Sequence, residues 1–159
     1  MVQKITLLLL ILISCHNNGN KGSDIKQELN EKLQKTTQID KCDIQKVAEL
    51  KRQLPSNTNY EIIKEFLMTI SVKCKNNAEF TQFSNEILFK TLKVDPTNFL
   101  KVLENENIEK DEVYRMITTP ISDNINLDEI LKNIMALNIK SVEKTNTIKS
   151  LKKALNKYN

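Results

Sequence analysis

The chain has 159 residues, 40% hydrophobic and 28% charged, with a formal net charge of +4. That length suits one domain beside a targeting segment, and the balance is ordinary for a globular protein. The small charge argues against a nucleic-acid partner, while one histidine and two glycines leave no material for a Ser-His-Asp triad, an HExxH site or a phosphate loop.

The chain opens with a targeting segment. Met1-Val2-Gln3-Lys4 carries one positive charge, Ile5 to Ile13 is apolar except for Thr6, and Ser14-Cys15 leads into a polar run ending at Ser23. A charged head, a short apolar core and a small residue before the cut are the three parts of a secretory signal. The apolar run is about half of the roughly 20 residues a bilayer-spanning helix needs, which argues against a permanent span. Leu12-Ile13-Ser14-Cys15 resembles the lipobox of bacterial lipoproteins, where an aliphatic residue stands three positions before a cysteine and a small residue directly before it. The resemblance covers this segment alone. It implies cleavage after Ser14, a diacylglycerol thioether on Cys15, acylation of the new amino group, and anchorage in the cell envelope at the periplasmic face of the outer membrane. A thiol is the side chain suited to thioether formation. At about 0.8 kcal/mol per buried CH₂, two or more acyl chains hold a protein stably at a membrane. Gly19 and Gly22 follow closely, so residues 15–23 read as a flexible tether and residues 24–159 as a single helical domain.

Within that domain no stretch alternates with period two, and no Asn-Gly or Asp-Gly hairpin signal occurs. After a cap at Ser23, Ile25, Leu29 and Leu33 mark a short first helix. Ile44, Val47, Ala48, Leu50 and Leu54 mark a second over residues 40–54, stopped by Pro55. Thr58 with Glu61 fits a capping box for the third, whose stripe Ile63, Phe66, Leu67, Ile70 and Cys74 recurs at helical spacing. Asn76 with Glu79 opens a fourth, lined by Phe80, Phe83, Ile87, Leu88 and Thr91. Asp95-Pro96 is a cap followed by proline at the first helical position, with Phe99, Leu100 and Leu103 facing inward. A sixth helix spans about residues 109–118 and carries Val113, Tyr114 and Ile117. Asn126 with Glu129 caps a seventh, striped by Leu127, Ile130, Leu131, Ile134 and Leu137. The last runs from about Ser141 to Tyr158 through Ile148, Leu151, Leu155 and Tyr158.

The fold class is therefore all-α, with seven or eight helices in antiparallel hairpins. Starts near Asp40, Thr58, Asn76 and Asp95 are almost evenly spaced. Two architectures fit: a globular bundle, or a short HEAT- or TPR-like stack with a repeat of about 37 residues.

With Cys15 lipidated, Cys42 and Cys74 remain. An exported chain meets an oxidising compartment, so this pair suggests a disulfide between adjoining ends of a helical hairpin. Two buried free thiols are the alternative; a metal site lacks further ligands. The stretch Asn124–Asp128 has the spacing of a calcium loop but carries Glu129 and Met135 where glycine and glutamate belong, so its polar residues read as helix-start residues. Glu104, Glu106, Glu109, Asp111 and Glu112 surround Lys110 in an acidic turn. Lys140, Lys144, Lys149, Lys152, Lys153 and Lys157 face a single Glu143 on the last helix, a basic surface for anionic lipid or an acidic partner, or simply a solvated face.

No catalytic residue, cofactor or metal is expected. The favoured reading is a membrane-tethered module that binds another envelope protein, of which an immunity-type lipoprotein neutralising a toxin is one form. A carrier of a lipid or small apolar ligand would need an apolar cavity between helices. An enzyme relying on carboxylates alone would need two of them buried in a cleft.

Overall fold

The computed structural model describes residues 39–158 apart from Pro55 and Asn57. The expected signal peptide, Cys15, the tether and the helix around Ile25 lie outside the described residues. Seven α-helices occur among the described residues: α1 (Ile44–Gln53), α2 (Tyr60–Thr69), α3 (Ala78–Val94), α4 (Pro96–Asn105), α5 (Lys110–Ile117), α6 (Leu127–Ala136) and α7 (Val142–Tyr158), with a 3₁₀ turn at Val72–Asn76 between α2 and α3. The described fold is all-α.

Short polar side chains start most of these helices by accepting the backbone N–H groups that a first turn leaves unpaired. Asp95 accepts from Asn98 N at 3.0 Å, with Pro96 next in line, and Asn126 accepts from Glu129 N at 3.0 Å, both as expected. Two other starts differ from expectation by one residue. Asn59, not Thr58, caps α2 by accepting from Ile62 N at 3.1 Å, and Asn77, not Asn76, caps α3 by accepting from Phe80 N at 3.0 Å. An asparagine is a slightly better cap than threonine, and two adjacent asparagines leave the register to tertiary packing. The start expected near Asp40 lies at Asp43, whose carboxylate accepts from Gln45 N at 2.8 Å.

Cys74 was expected on the stripe of α2. Instead α2 ends at Thr69, because Ile70 is extended and the Thr69 carbonyl accepts Cys42 N at 2.8 Å. Ser71 then caps the 3₁₀ turn, which carries Cys74 back into the core at 4% exposure. The residue is buried as its spacing implied, but by a new turn rather than by the same helix.

The core runs along α3, which packs against α1, α4, α5 and α6, while α7 closes one side against α4, α5 and α6. A stack of hairpins touches only its neighbours. Here α3 lies among four helices, so the arrangement is a globular bundle. Phe66, Phe80, Phe89 and Phe99 are fully buried within it, and each stabilises the fold by about 1.5–3 kcal/mol relative to exposure. Tyr158, expected on the inner stripe of α7, is half exposed: the buried face of that helix is Glu143, Thr147, Ser150, Leu151 and Ala154.

One polar residue lies in the middle of this core. Asn85, on α3, is 1% exposed. Its amide N–H groups donate to the carbonyls of Met116 (3.1 Å) and Thr119 (3.3 Å), and its side-chain oxygen accepts from Ile121 N at 3.0 Å. The segment leaving α5 is thereby fixed to α3, and its backbone groups are satisfied where water is absent.

Candidate functional site

Two charged stretches converge on α5 and α7. The acidic turn between α4 and α5 is largely spent on its own fold. Glu106 accepts from the Tyr60 hydroxyl at 2.8 Å and lies 3.4 Å from Lys64 Nζ. Glu109 accepts Val72 N at 2.9 Å and lies 3.6 Å from Lys41. Burial pushes the Glu109 carboxyl up, but these donors outweigh burial and hold it below the ordinary glutamate value. Glu112, 7% exposed, takes a bidentate pair from Arg115, at 2.9 Å from Nε and 2.6 Å from Nη2. Bidentate geometry fixes the guanidinium as well as neutralising the carboxylate.

Glu143, read from sequence as the lone acidic residue of the basic helix, points inward. It accepts from Lys110 Nζ at 2.7 Å and from the Tyr114 hydroxyl. Burial raises the Glu143 carboxyl, yet Lys110 and Tyr114 together hold it below its usual value. The Tyr114 phenol moves up, through burial first and the adjacent carboxylate second. This cluster joins α5 to α7 and was missed in the sequence. Its signal was that position 143 shares the inner stripe of α7 with Thr147, Ser150, Leu151 and Ala154.

The expected basic surface divides in two. Lys144 leaves it: its ammonium donates to the carbonyls of Leu137 (2.6 Å) and Met135 (3.1 Å), closing the C-terminal end of α6, where a cation also meets the negative end of the helix dipole. Lys149, Lys152, Lys153 and Lys157 are exposed along α7, outside its buried face. Lys41, Lys46, Lys64, Lys90, Lys93, Lys110 and Arg115 form the ion pairs seen among the described residues, and none of those pairs includes one of these four lysines. Lys157 lies 5.2 Å from the Tyr158 ring centre. Seventeen residues of α7 make a rigid support, about 25 Å long at 1.5 Å per residue. A groove of about 400 Å³ between α5 and α7 borders this face and is lined on the α7 side by Lys149 and Lys153.

Cys42 and Cys74 are joined by a disulfide, with Cα atoms 5.5 Å apart. Cys42 has φ of 64°, a left-handed conformation a non-glycine residue adopts at a cost of order 1–3 kcal/mol. The bridge and the Cys42 N–H bond to Thr69 hold it there, and Lys41 donates to the Met68 carbonyl at 2.9 Å alongside. Among the described residues, no group of three or more His, Cys, Asp or Glu side chains is placed to hold a metal ion, and no helix is long and apolar enough to cross a membrane.

Over 103 residues the chain is 34% identical to an uncharacterised protein of Borreliella burgdorferi. The match takes in 60% of this chain but 17% of that protein, so the chain spans about a sixth of the relative's length. No protein-family model and no solved structure matches the chain. The site offers exposed ammonium groups carried on one helix, a bordering groove, and a neighbouring acidic turn in which Glu106, Glu109 and Glu112 are engaged within the fold.

Proposed function

We propose that this chain is a lipid-anchored lipoprotein of the bacterial envelope that acts as a non-catalytic helical binding module, meeting an acidic envelope protein through the outer face of α7. The observation that carries the reading is the set Lys149, Lys152, Lys153 and Lys157: exposed, on one rigid helix, and outside every ion pair formed among the described residues. Some lysines elsewhere in the bundle are matched to carboxylates of neighbouring helices, as Lys46 is to Glu65 and Lys93 to Glu129, whereas α7 gathers four outside those pairs on one helix. An unmatched row favours an acidic partner surface by raising its encounter rate and by repelling basic competitors.

Two further features support the envelope setting. Leu12-Ile13-Ser14-Cys15 resembles a lipobox, and a disulfide such as Cys42–Cys74 persists in oxidising compartments. The test is capture from native envelopes with the lipidated protein and a Cys15→Ser form as baits. Each bait is compared with a version carrying Lys149→Glu, Lys152→Glu, Lys153→Glu and Lys157→Glu. A stoichiometric protein held by both parent baits and released by charge reversal is the expected result. Capture of no protein, or capture indifferent to charge reversal, refutes the reading.

A further inference from the structure

The groove between α5 and α7 shares Lys149 and Lys153 with the exposed lysine set of α7 but adds residues of α5 to them. Three cationic side chains line it: Arg115 from α5, and Lys149 and Lys153 from α7. Asn146 and Ser150 add an amide and a hydroxyl, while the Thr118 hydroxyl donates to the Arg115 carbonyl at 2.7 Å; Ser150 is only 8% exposed, so part of the lining is built into the wall rather than lying on the surface. Asp111 is the one carboxylate among the lining residues.

The Arg115 guanidinium is already positioned. Its Nε and Nη2 donate to Glu112, which leaves the remaining N–H groups of a five-donor fork for a second acceptor. Behind it, the bonds from Lys110 and Tyr114 to Glu143 fasten α5 to α7, so the two walls keep their separation. A hollow rich in donors, with two ammonium groups outside the ion pairs formed among the described residues, suits a tetrahedral oxyanion, whose several oxygens can take bonds from both walls at once. Its volume of about 400 Å³ admits a small organic group beyond the anion.

We propose that this groove binds a phosphate-bearing group, with Lys149, Lys153 and Arg115 as its cationic contacts and Ser150 and Asn146 as neutral donors. The phosphate can belong to a soluble monoester or to a phospholipid headgroup. The inference does not depend on the protein-partner reading.

The test uses the full-length protein in nonionic detergent, titrated with glycerol 3-phosphate at constant ionic strength and followed by amide NMR at Thr118, Asn146 and Ser150. In parallel, the lipidated protein in phosphatidylcholine vesicles is compared with the same protein in vesicles containing phosphatidylglycerol. Saturable shifts confined to the groove are expected in at least one arm. Lys149→Gln and Lys153→Gln should each weaken binding by about tenfold, the loss of one charge-assisted bond. Lys152→Gln removes an equal charge from the outer face without lining the groove, and should leave affinity unchanged. Saturation by glycerol 3-phosphate assigns a soluble ligand; saturation by phosphatidylglycerol alone assigns a headgroup. Lack of saturation in both arms overturns the site, as does an equal effect of Lys152→Gln, which would show only diffuse attraction. All three lysines are exposed, so amide dispersion should be retained. If a lysine variant nevertheless fails to fold, Asn146→Leu, which removes a neutral donor without changing charge, must lower affinity for the proposal to stand.

Discussion

Glu106, Glu109 and Glu112 end on Tyr60, Val72 and Arg115, whereas Lys149, Lys152 and Lys153 are exposed. The acidic turn and the basic helix look equivalent in sequence, each a run of like charge on a polar stretch. In the bundle they do opposite things. The turn joins α4 and α5 to α2, to the 3₁₀ turn and to Lys41, so its carboxylates act as fasteners. The exposed lysines of α7 form no ion pair among the described residues, and the helix is held from the other side by Leu151, Ala154 and the Glu143 cluster. Charge density alone does not separate structural charge from available charge. The position of the counter-charge does.

If the turn is structural, the largest loss of stability should come from the knot it is tied to. Cys42 and Cys74 are 32 residues apart, and removing a bridge over a loop of that size costs about 3–4 kcal/mol in the chain-entropy model. The left-handed Cys42 relaxes once the bridge is open, which brings the measured loss towards the lower figure. Urea unfolding with and without reductant, and of Cys42→Ala with Cys74→Ala, should show it. Unchanged midpoints would mean that the bridge adds nothing to the fold and that the knot is not what holds the turn.

Glu143→Gln comes next, at about 2 kcal/mol, since it leaves Lys110 without its carboxylate in a mostly buried setting. The same group gives a pH signature. Its folded carboxyl is held below the ordinary value, so its contribution is complete above about pH 4.3, the unfolded value, and is lost as pH falls towards the folded one. Glu109 acts in the same direction. Thermal melting between pH 7 and pH 3 should therefore fall steeply at the acid end in the parent and less steeply in Glu143→Gln. Parallel profiles would remove Glu143 from the set of fasteners.

These contrasts also mark how far the sequence could be read. Asp95-Pro96 and Asn126 showed their helix starts because each is a lone cap before an apolar stripe. Thr58-Asn59 and Asn76-Asn77 each offered two competent caps side by side, and local propensity does not choose between neighbours. The pairing of Cys42 with Cys74 followed from hairpin geometry even though Cys74 sits on a separate turn. The destinations of Lys144 and Glu143 were hidden, because both contacts cross between helices and depend on packing angles that no spacing within one helix encodes. Asn85 was hidden for the opposite reason. A polar residue within the core stripe of α3 has meaning only once the loop it holds is in place.

Thr147 gives a smaller effect of opposite sign. Its hydroxyl is fully buried on the inner face of α7 and has no hydrogen-bond partner among the described residues. Valine keeps the shape and removes the unmatched polar atom, so Thr147→Val should stabilise the bundle by about 1 kcal/mol. A destabilised variant would mean that the hydroxyl is satisfied in solution and that the inner face of α7 is more polar than the packing implies.

The smallest effect on stability decides the comparison. Lys149→Gln with Lys153→Gln should shift unfolding free energy by no more than about 0.5 kcal/mol, the usual bound for exposed positions outside any network. The double variant should nevertheless lose the binding that the groove and outer face are proposed to provide. Removing charge from the turn at Glu109→Gln should do the reverse, lowering stability through Val72 and Lys41 while leaving binding intact. If both variants lower stability alike, the lysines of α7 are structural after all. If neither alters binding, the unmatched charge on that helix serves solubility. Only the crossed result, stability lost at the turn and binding lost at the helix, separates a charge that holds the fold from one that the fold holds out.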